Sequence, residues 1–166
     1  MSLVDPFIAE LEQEAAVTKR VLERVPTDRL GWKPHPKSMS LGELALHVAT
    51  TPGGVAEIIR TNEREMPDFR QRPSPGSTDE VLSALAESIG KAKEILSSFD
   101  DDSVKTTWRL TAGGREILAT PRIGVIRSIL LNHWYHHRGQ LSVYLRLLDV
   151  PVPSIYGPSA DENPFA

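Results

Sequence analysis

Two histidines near the end of the chain have a spacing that could bind a metal ion. His133 and His137 are four residues apart in the stretch NHWYHHRGQL, at positions 132–141. On an α-helix this separation places two side chains one turn apart on the same face, where both can reach one ion. His136 lies about 100° around the helix from His137, at the edge of that face. The pair alone is a weak pattern, because hydrogen-bonded or surface imidazoles also explain it.

A third histidine could complete a site with this pair. His47 lies in a different predicted helix, and its neighbours one turn away include Leu44 and Thr51, on the apolar side of that helix. Three neutral imidazoles leave one coordination position open, as in catalytic zinc sites, whereas structural zinc usually has four protein ligands. Nitrogen donors also suit nickel, iron and copper. From spacing alone two interpretations stay open: a three-histidine metal site, and histidines whose ring nitrogens are hydrogen-bonded in the core.

Other kinds of metal or nucleophile site lack their residues. The chain contains no cysteine, which excludes disulfides, thiolate metal ligands and a protein thiol nucleophile. The HExxH motif is absent because Trp134 follows His133, and the Glu-x-x-His motifs of di-iron bundles are absent as well. The sequence therefore excludes the chemistry of metalloproteases and di-iron oxidases.

Polar residues near the histidines are candidates for positioning a substrate. Gln140 and Tyr144 lie one and two turns beyond the second histidine of the pair on the same predicted face, where they could bind substrate or satisfy each other in the core. Arg138 points away from this face, and we expect it to pair with a carboxylate or to line an interface. Glu43, one turn before His47, either orients that imidazole or is an exposed glutamate that the helix dipole favours.

Four amphipathic helices are predicted to position these side chains. Apolar residues recur at three- and four-residue steps over residues 5–25, 40–59, 77–99 and 121–148. The predicted N-terminal signals are Asp5 with Pro6, Ser40, Ser77 with Glu80, and Thr120 with Pro121. Pro52 lies inside the second helix and predicts a kink or break near residues 48–52, because proline removes one backbone hydrogen bond.

The segments between these helices are predicted to be connections. Residues 26–39 hold three prolines, and Trp32 is expected to fold back as their apolar anchor. Residues 66–76 are a second loop, and residues 101–120 fit a short hairpin or a long loop equally, so they are taken as a connection. We therefore predict an all-α fold, a four-helix bundle with long connections and an extended C-terminal tail, as a single domain over residues 1–166.

The composition limits the partners. The formal net charge is -3 and the 19 lysines and arginines are scattered, so no basic surface for nucleic acid is expected. No segment approaches the ~18 consecutive apolar residues of a membrane span, and the first residues do not resemble a signal peptide. We expect a cytoplasmic protein that binds neither membrane nor nucleic acid.

The sequence around the histidines resembles the DinB superfamily. The resemblance runs from the first helix to the tail. Its most specific parts are NHWYHHRGQLSVYLRLLDVPVPSIYGPSADE, at positions 132–162, and MSLGELALHVA, at positions 39–49. It implies a four-helix bundle that holds a divalent metal through three histidines, which correspond here to His47, His133 and His137. His136 corresponds to an extra histidine that is not a ligand.

The resemblance also implies candidate functions. Characterised branches include thiol S-transferases and metal-dependent isomerases or hydrolases. We expect a divalent metal, zinc or nickel with iron as a third candidate, a low-molecular-weight thiol as co-substrate, and a small-molecule substrate positioned by Tyr144 or Gln140. One alternative is a hydrolase that uses metal-bound water, with Asp161 or Glu162 of the tail folded back as a base. The other is a non-catalytic, metal-stabilised binding module, and a homodimer is expected.

Overall fold

Four long helical segments make up most of the structure. The computed structural model describes residues 2–68 and 72–165. Its helices are α1 (Asp5–Leu22), α2 (Leu41–Ile58), α3 (Thr78–Ser97), the short α4 (Asp101–Lys105), α5 (Arg122–Val125) and α6 (His133–Leu147). A π-helical stretch, Ile126–Asn132, joins α5 to α6, so residues 122–147 are one continuous helical segment.

The four segments share one apolar core. Both α1 and α2 contact α3 and the last segment. Buried apolar side chains come from all four segments: Leu11, Leu22, Leu44, Ala45, Leu85, Leu96, Leu130 and Leu141. The mostly helical character predicted from the periodicity is therefore confirmed, and the arrangement as a four-helix bundle stays a prediction. Within the described ranges, no helix combines the length and hydropathy that a membrane span needs.

Helix α2 continues through Pro52 without the predicted break. It begins with a capping box, in which the Ser40 hydroxyl accepts from the Glu43 N–H and the Glu43 carboxylate accepts from the Ser40 N–H. Pro52 cannot donate to the carbonyl of Val48, four residues earlier. That carbonyl instead accepts a hydrogen bond of 2.8 Å from the indole N–H of Trp134. The predicted break near residues 48–52 is wrong because a tertiary hydrogen bond replaces the missing helical one; a kink there, the other alternative, stays a prediction.

Two other helix starts differ from the predicted caps. Asp5 is the first residue of α1 and its N-cap is Val4; the Asp5 carboxylate accepts from the Ser2 N–H at 2.7 Å. The last segment follows Pro121, whose neighbour Thr120 belongs to a strand and makes no cap. Ser77 caps α3 as predicted, with its hydroxyl 3.2 Å from the Glu80 nitrogen, but the capping box is incomplete because the Glu80 carboxylate accepts from the Gly76 N–H.

A small sheet makes the strictly all-α prediction wrong. Its strands are β1 (Glu63–Glu65), β2 (Thr107–Ala112) and β3 (Arg115–Pro121), in the order β1-β2-β3. β2 and β3 form an antiparallel hairpin whose turn is made by Gly113 and Gly114, both with positive φ, while β1 pairs parallel to β2. Trp108 is buried and its indole N–H lies 3.3 Å from the Ile58 carbonyl, which joins the hairpin to the end of α2.

Extended backbone after α6 is held to the helices by two ion pairs. The Glu162 carboxylate contacts the Arg20 guanidinium at 2.5 and 2.6 Å, and Asp161 pairs with Arg146. The same two carboxylates accept backbone N–H groups of the tail, from Ser154 and Val152 respectively. The tail is thereby fixed along α1 and α6.

Arg138 forms an ion pair with a carboxylate, one of the two alternatives that the sequence left open, and this pair is buried. Its side chain is 1% exposed, and the guanidinium lies 2.6 Å from the carboxylate of Glu14, which is 8% exposed. Thr18 and Tyr156 also contact the guanidinium through their hydroxyls, at 3.1 and 2.5 Å. Helices α1 and α6 and the tail therefore meet at this one cation.

The contact between α2 and α3 predicts opposite effects for two adjacent glycines. A Cβ atom on Gly53 would lie 2.8 Å from the Ser88 carbonyl oxygen, whereas one on Gly54 would meet nothing within 4 Å. We expect Gly53→Ala to lower the free energy of unfolding by about 1–3 kcal/mol through overpacking. Gly54→Ala should raise it by about 0.5–1 kcal/mol, since alanine favours helix. Urea denaturation measures both, and an unchanged or raised stability of Gly53→Ala would contradict the close contact with Ser88.

The buried ion pair predicts a large loss of stability on substitution. Arg138→Met leaves the Glu14 carboxylate buried without its cation, so we expect the free energy of unfolding to fall by about 3–5 kcal/mol. Arg109→Met is the matched control, because its partner Glu116 and Arg109 itself are both about half exposed. That control should lose at most about 1 kcal/mol. Similar losses for the two variants in urea denaturation would show that the Arg138 pair is not effectively buried.

Candidate metal centre

The three predicted histidines come together in the structure. His47 lies on α2, and His133 and His137 lie on the first two turns of α6. One nitrogen of each ring lies within 4.8 Å of the others, which is a grouping that could hold a metal ion. The His47 and His133 ring centroids are 5.5 Å apart, and that of His137 is 4.4 Å from each.

The hydrogen bond between Trp134 and Val48 sets the distance between the helices that carry the site. The two residues directly follow His133 and His47 in the sequence, and both are fully buried. The Trp134 indole N–H contacts the α2 backbone beside His47. The His47 ring on α2 and the His133 ring on α6 therefore lie next to each other across the two helices. The Val48 carbonyl, which Pro52 leaves without a helical donor, therefore takes part in positioning the site.

The π-helical stretch explains which face of α6 carries the histidines. The buried positions of its first part include Ile126 and Leu130, but those of α6 are Trp134, Arg138, Leu141 and Leu145. A π turn holds one more residue than an α turn, so the buried face moves by one position. If α geometry continued through this stretch, His133 and His137 would lie on the same stripe as Ile126 and Leu130. They lie instead beside the core face of α6, half-buried.

A cleft of about 430 Å³ opens beside the three imidazoles. Its walls are His47, His133 and His137, with Met39, Glu43, Leu46, Thr50, Asp68, Arg72 and Pro73. The cleft lies between α2, α6 and the connection that leads to α3. A small molecule that enters it would reach the histidines directly.

Burial lowers the pKa of all three imidazoles. That of His47 falls to about 4, where the positive charges of His137 and His133 add to the effect of burial. The pKa values of His133 and His137 are also lowered by burial, although the hydrogen bond to Gln140 raises that of His137 in part. The rings are thus neutral near pH 7, the state in which imidazole binds metal ions.

The hydrogen bonds of the rings fit a metal site. His137 Nδ1 lies 2.7 Å from the Gln140 Oε1, and because an amide oxygen only accepts, this contact assigns the ring proton to Nδ1. His137 Nε2 then carries a lone pair and lies 2.7 Å from His133 Nε2. Two nitrogen lone pairs this close repel each other unless a proton or a cation lies between them. Among the described residues, the buried Nδ1 of His133 has no partner.

The other residues predicted near the site lie around it rather than in it. His136 is exposed, with its ring 5.0 Å from that of His137, and it does not join the group. Tyr144 packs edge-on against Trp32 at 5.6 Å and its hydroxyl lies 3.3 Å from the Met39 carbonyl oxygen. Gln140 is exposed and contacts His137, as an orienting partner of a ligand would. A catalytic role for Tyr144 or Gln140 stays a prediction.

The acidic residues divide between the cleft and the tail. Glu43 lines the cleft but serves as the helix-start acceptor, 2.7 Å from the Ser40 nitrogen, with Lys33 3.7 Å away. Asp161 and Glu162 pair with arginines and are not among the residues that line the cleft, so the idea that they fold back as a base is not supported. Asp68 and Arg72, which do line it, lie in a predicted loop without periodicity, and the sequence therefore gave no signal for them.

Comparison with known proteins supports the resemblance found in the sequence. Residues 10–141 match the family model of the DinB superfamily. The uncharacterized protein YrdA of Bacillus subtilis (strain 168) is 28% identical over 167 residues, which cover 96% of this chain and 91% of YrdA.

Two crystal structures share the fold. A DinB-like protein from Bacillus cereus ATCC 10987 has a TM-score of 0.72 at 24% identity, covering 92% of this chain and 97% of that one. The DinB-like protein YjoA from Bacillus subtilis has a TM-score of 0.69 at 18% identity, covering 91% and 98%. At these identities the two structures show a shared fold alone.

The geometry predicts which histidines are needed for metal binding. We expect His47→Ala, His133→Ala and His137→Ala each to remove bound metal, whereas His136→Ala should retain it because its ring lies outside the group. Gln140→Ala should weaken metal binding by about 10- to 100-fold through loss of the partner that orients His137. Mass spectrometry of metals in the purified variants, followed by competition with a chelator, measures these effects. Equal metal content in His133→Ala and His136→Ala would contradict the assignment.

Proposed function

Since the chain belongs to the DinB superfamily, we propose that it is a metal-dependent enzyme that transfers a low-molecular-weight thiol to an electrophile. The observation that carries the proposal is the convergence of three neutral imidazoles at the wall of an open cleft. His47, His133 and His137 would hold a divalent metal, zinc or nickel with iron as a third candidate. We take the four long segments to form the four-helix bundle that positions them.

The donor set suits a catalytic more than a structural ion. Three protein ligands leave a coordination position for a small molecule, and the cleft gives that position access to solvent. A divalent ion here would supply Lewis acidity and lower the pKa of a coordinated thiol or water. Gln140 holds the proton of His137 on Nδ1, so that Nε2 faces the centre.

The cleft suits a small organic molecule. Its volume of about 430 Å³ lies within the range of ligand sites, ~300–1,000 Å³. Met39, Leu46 and Pro73 give it an apolar part that can hold a hydrocarbon or aromatic body. The thiol and the electrophile of a transfer reaction would together have to fit this volume.

A hydrolase is the second candidate because the cleft contains carboxylates. Asp68 and Glu43 line it together with the histidines, and a carboxylate near an activated water can act as a general base. Glu43 also accepts the Ser40 N–H at the start of α2, so Asp68→Asn is the substitution that tests a cleft carboxylate without removing a helix cap. A non-catalytic, metal-stabilised binding module, as a homodimer, is the remaining alternative.

Turnover assays separate these functions. We expect the metal-loaded protein to consume at least one low-molecular-weight thiol in the presence of an aryl halide, epoxide or enone, with the adduct identified by mass spectrometry. His47→Ala should reduce the rate to that of chelator-treated protein because a ligand is lost, and His136→Ala should keep it.

Other outcomes would contradict the transferase proposal. Hydrolysis of esters or amides without thiol consumption, lost in Asp68→Asn, would indicate the hydrolase. No turnover with either panel, together with a metal-dependent rise in thermal stability and a dimer in sedimentation, would indicate the binding module.

A further inference from the structure

Among the described residues, one cationic side chain lines the cleft beside the three histidines. Arg72 lies in the connection between β1 and α3 and lines the same wall as Asp68 and Pro73. Arg72 is exposed and lines the cleft together with His47. The cleft therefore carries a positive charge next to the candidate metal centre.

The other charged residues of the cleft have partners of their own. The Glu43 carboxylate accepts the Ser40 N–H at 2.7 Å and lies 3.7 Å from the Lys33 ammonium. Asp68 is also engaged and is not a free carboxylate. For Arg72, no ion pair with a carboxylate is present in residues 2–68 and 72–165. Its guanidinium is therefore available to a ligand that enters the cleft.

The three histidines of the candidate metal centre do not neutralise the positive charge of Arg72. Its three ligands are neutral imidazoles, so a divalent ion among them would add its charge to that of Arg72. Opposite charges attract, so a ligand with an anionic group would be stabilised next to Arg72 even though Glu43 and Asp68 also line the cleft. A guanidinium also matches carboxylate and phosphate groups through two parallel hydrogen bonds.

We propose that Arg72 binds an oxyanion of the substrate, a carboxylate or a phosphate, while the reacting group of that substrate faces His47, His133 and His137. This inference rests on the proposed function and narrows its substrate class to anionic organic molecules. The apolar side chains that line the same cleft would contact the organic part of the substrate. Arg72 is thus a residue that determines specificity and orientation.

Two pairs of probes test the oxyanion site in the full-length protein. 3-Mercaptopropionate is compared with 3-mercaptopropanamide on protein loaded with Zn²⁺, and benzoate with benzamide on protein treated with chelator. We expect the acids to bind at least about 10-fold more tightly than the amides, as for a charge-assisted hydrogen bond. Arg72→Gln should remove this preference and leave the affinities of the amides unchanged, which shows that the variant is folded. Isothermal titration calorimetry gives each affinity.

The controls separate a specific contact from general electrostatics. Lys33→Gln removes the same charge from a residue that does not line the cleft, so it should retain the preference for acids. Arg72→Lys, which keeps the charge, should restore part of it. Competition by inorganic phosphate against benzoate shows whether the site accepts both oxyanions or carboxylate alone.

The outcomes for the oxyanion site and for the thiol chemistry are distinguishable. An equal preference for acids in wild type and Arg72→Gln, or no preference in wild type, would overturn the role of Arg72. If the mercapto compounds bind no better with metal than without it, the proposed thiol function fails. The benzoate pair still tests Arg72 in that case, because neither of its members contains a thiol.

Discussion

The hydrogen bond from the Trp134 indole to the Val48 carbonyl is the contact on which the geometry of the site depends. Pro52 leaves that carbonyl without its helical donor, and a buried carbonyl without a partner costs about 1–3 kcal/mol. The indole lies 2.8 Å from the carbonyl oxygen and joins residues 86 positions apart in the sequence. Because the donor and the acceptor each follow a histidine, satisfying this carbonyl also brings His47 next to His133. The hydrogen bond that satisfies this buried carbonyl therefore also holds two of the three candidate ligands together.

The π-helical stretch completes this arrangement by changing which face of the last segment is buried. With α geometry throughout, the positions that follow Ile126 and Leu130 in the core would be His133 and His137. The extra residue of the π turn gives the core positions to Trp134 and Leu141 instead, and the imidazoles move to the edge of the cleft. Fully buried histidines could not reach a substrate, so the irregular turn gives the site its access to solvent.

The sequence predicted the elements whose structure follows from local residue patterns. The predictions were wrong or missing where contacts with a distant segment determine the structure. The four long helical segments follow from apolar periodicity. The i, i+4 pair and an apolar-side histidine made a three-histidine site one of two interpretations, and the resemblance to the DinB superfamily implied it. Strand β1 has the sequence Glu-Arg-Glu, all exposed, and carries no strand pattern; it exists because it pairs with β2. Helix α2 passes through Pro52 because of a donor on another helix. The far wall of the cleft comes from a connection, where side-chain positions have no periodicity.

The adjacent residues His137 and Arg138 place a candidate metal ligand and a buried ion pair on different faces of α6. Neighbouring positions on a helix point about 100° apart, so the imidazole faces the cleft while the guanidinium enters the contact with α1 and the tail. There Glu14 neutralises it, and the rings of Tyr135 and Tyr156 lie 5.2 and 5.1 Å from it. If this cation faced the cleft instead, it would oppose a metal ion among the histidines. Its burial against Glu14 therefore stabilises the fold and keeps the ligand group free of a repelling charge on the same helix.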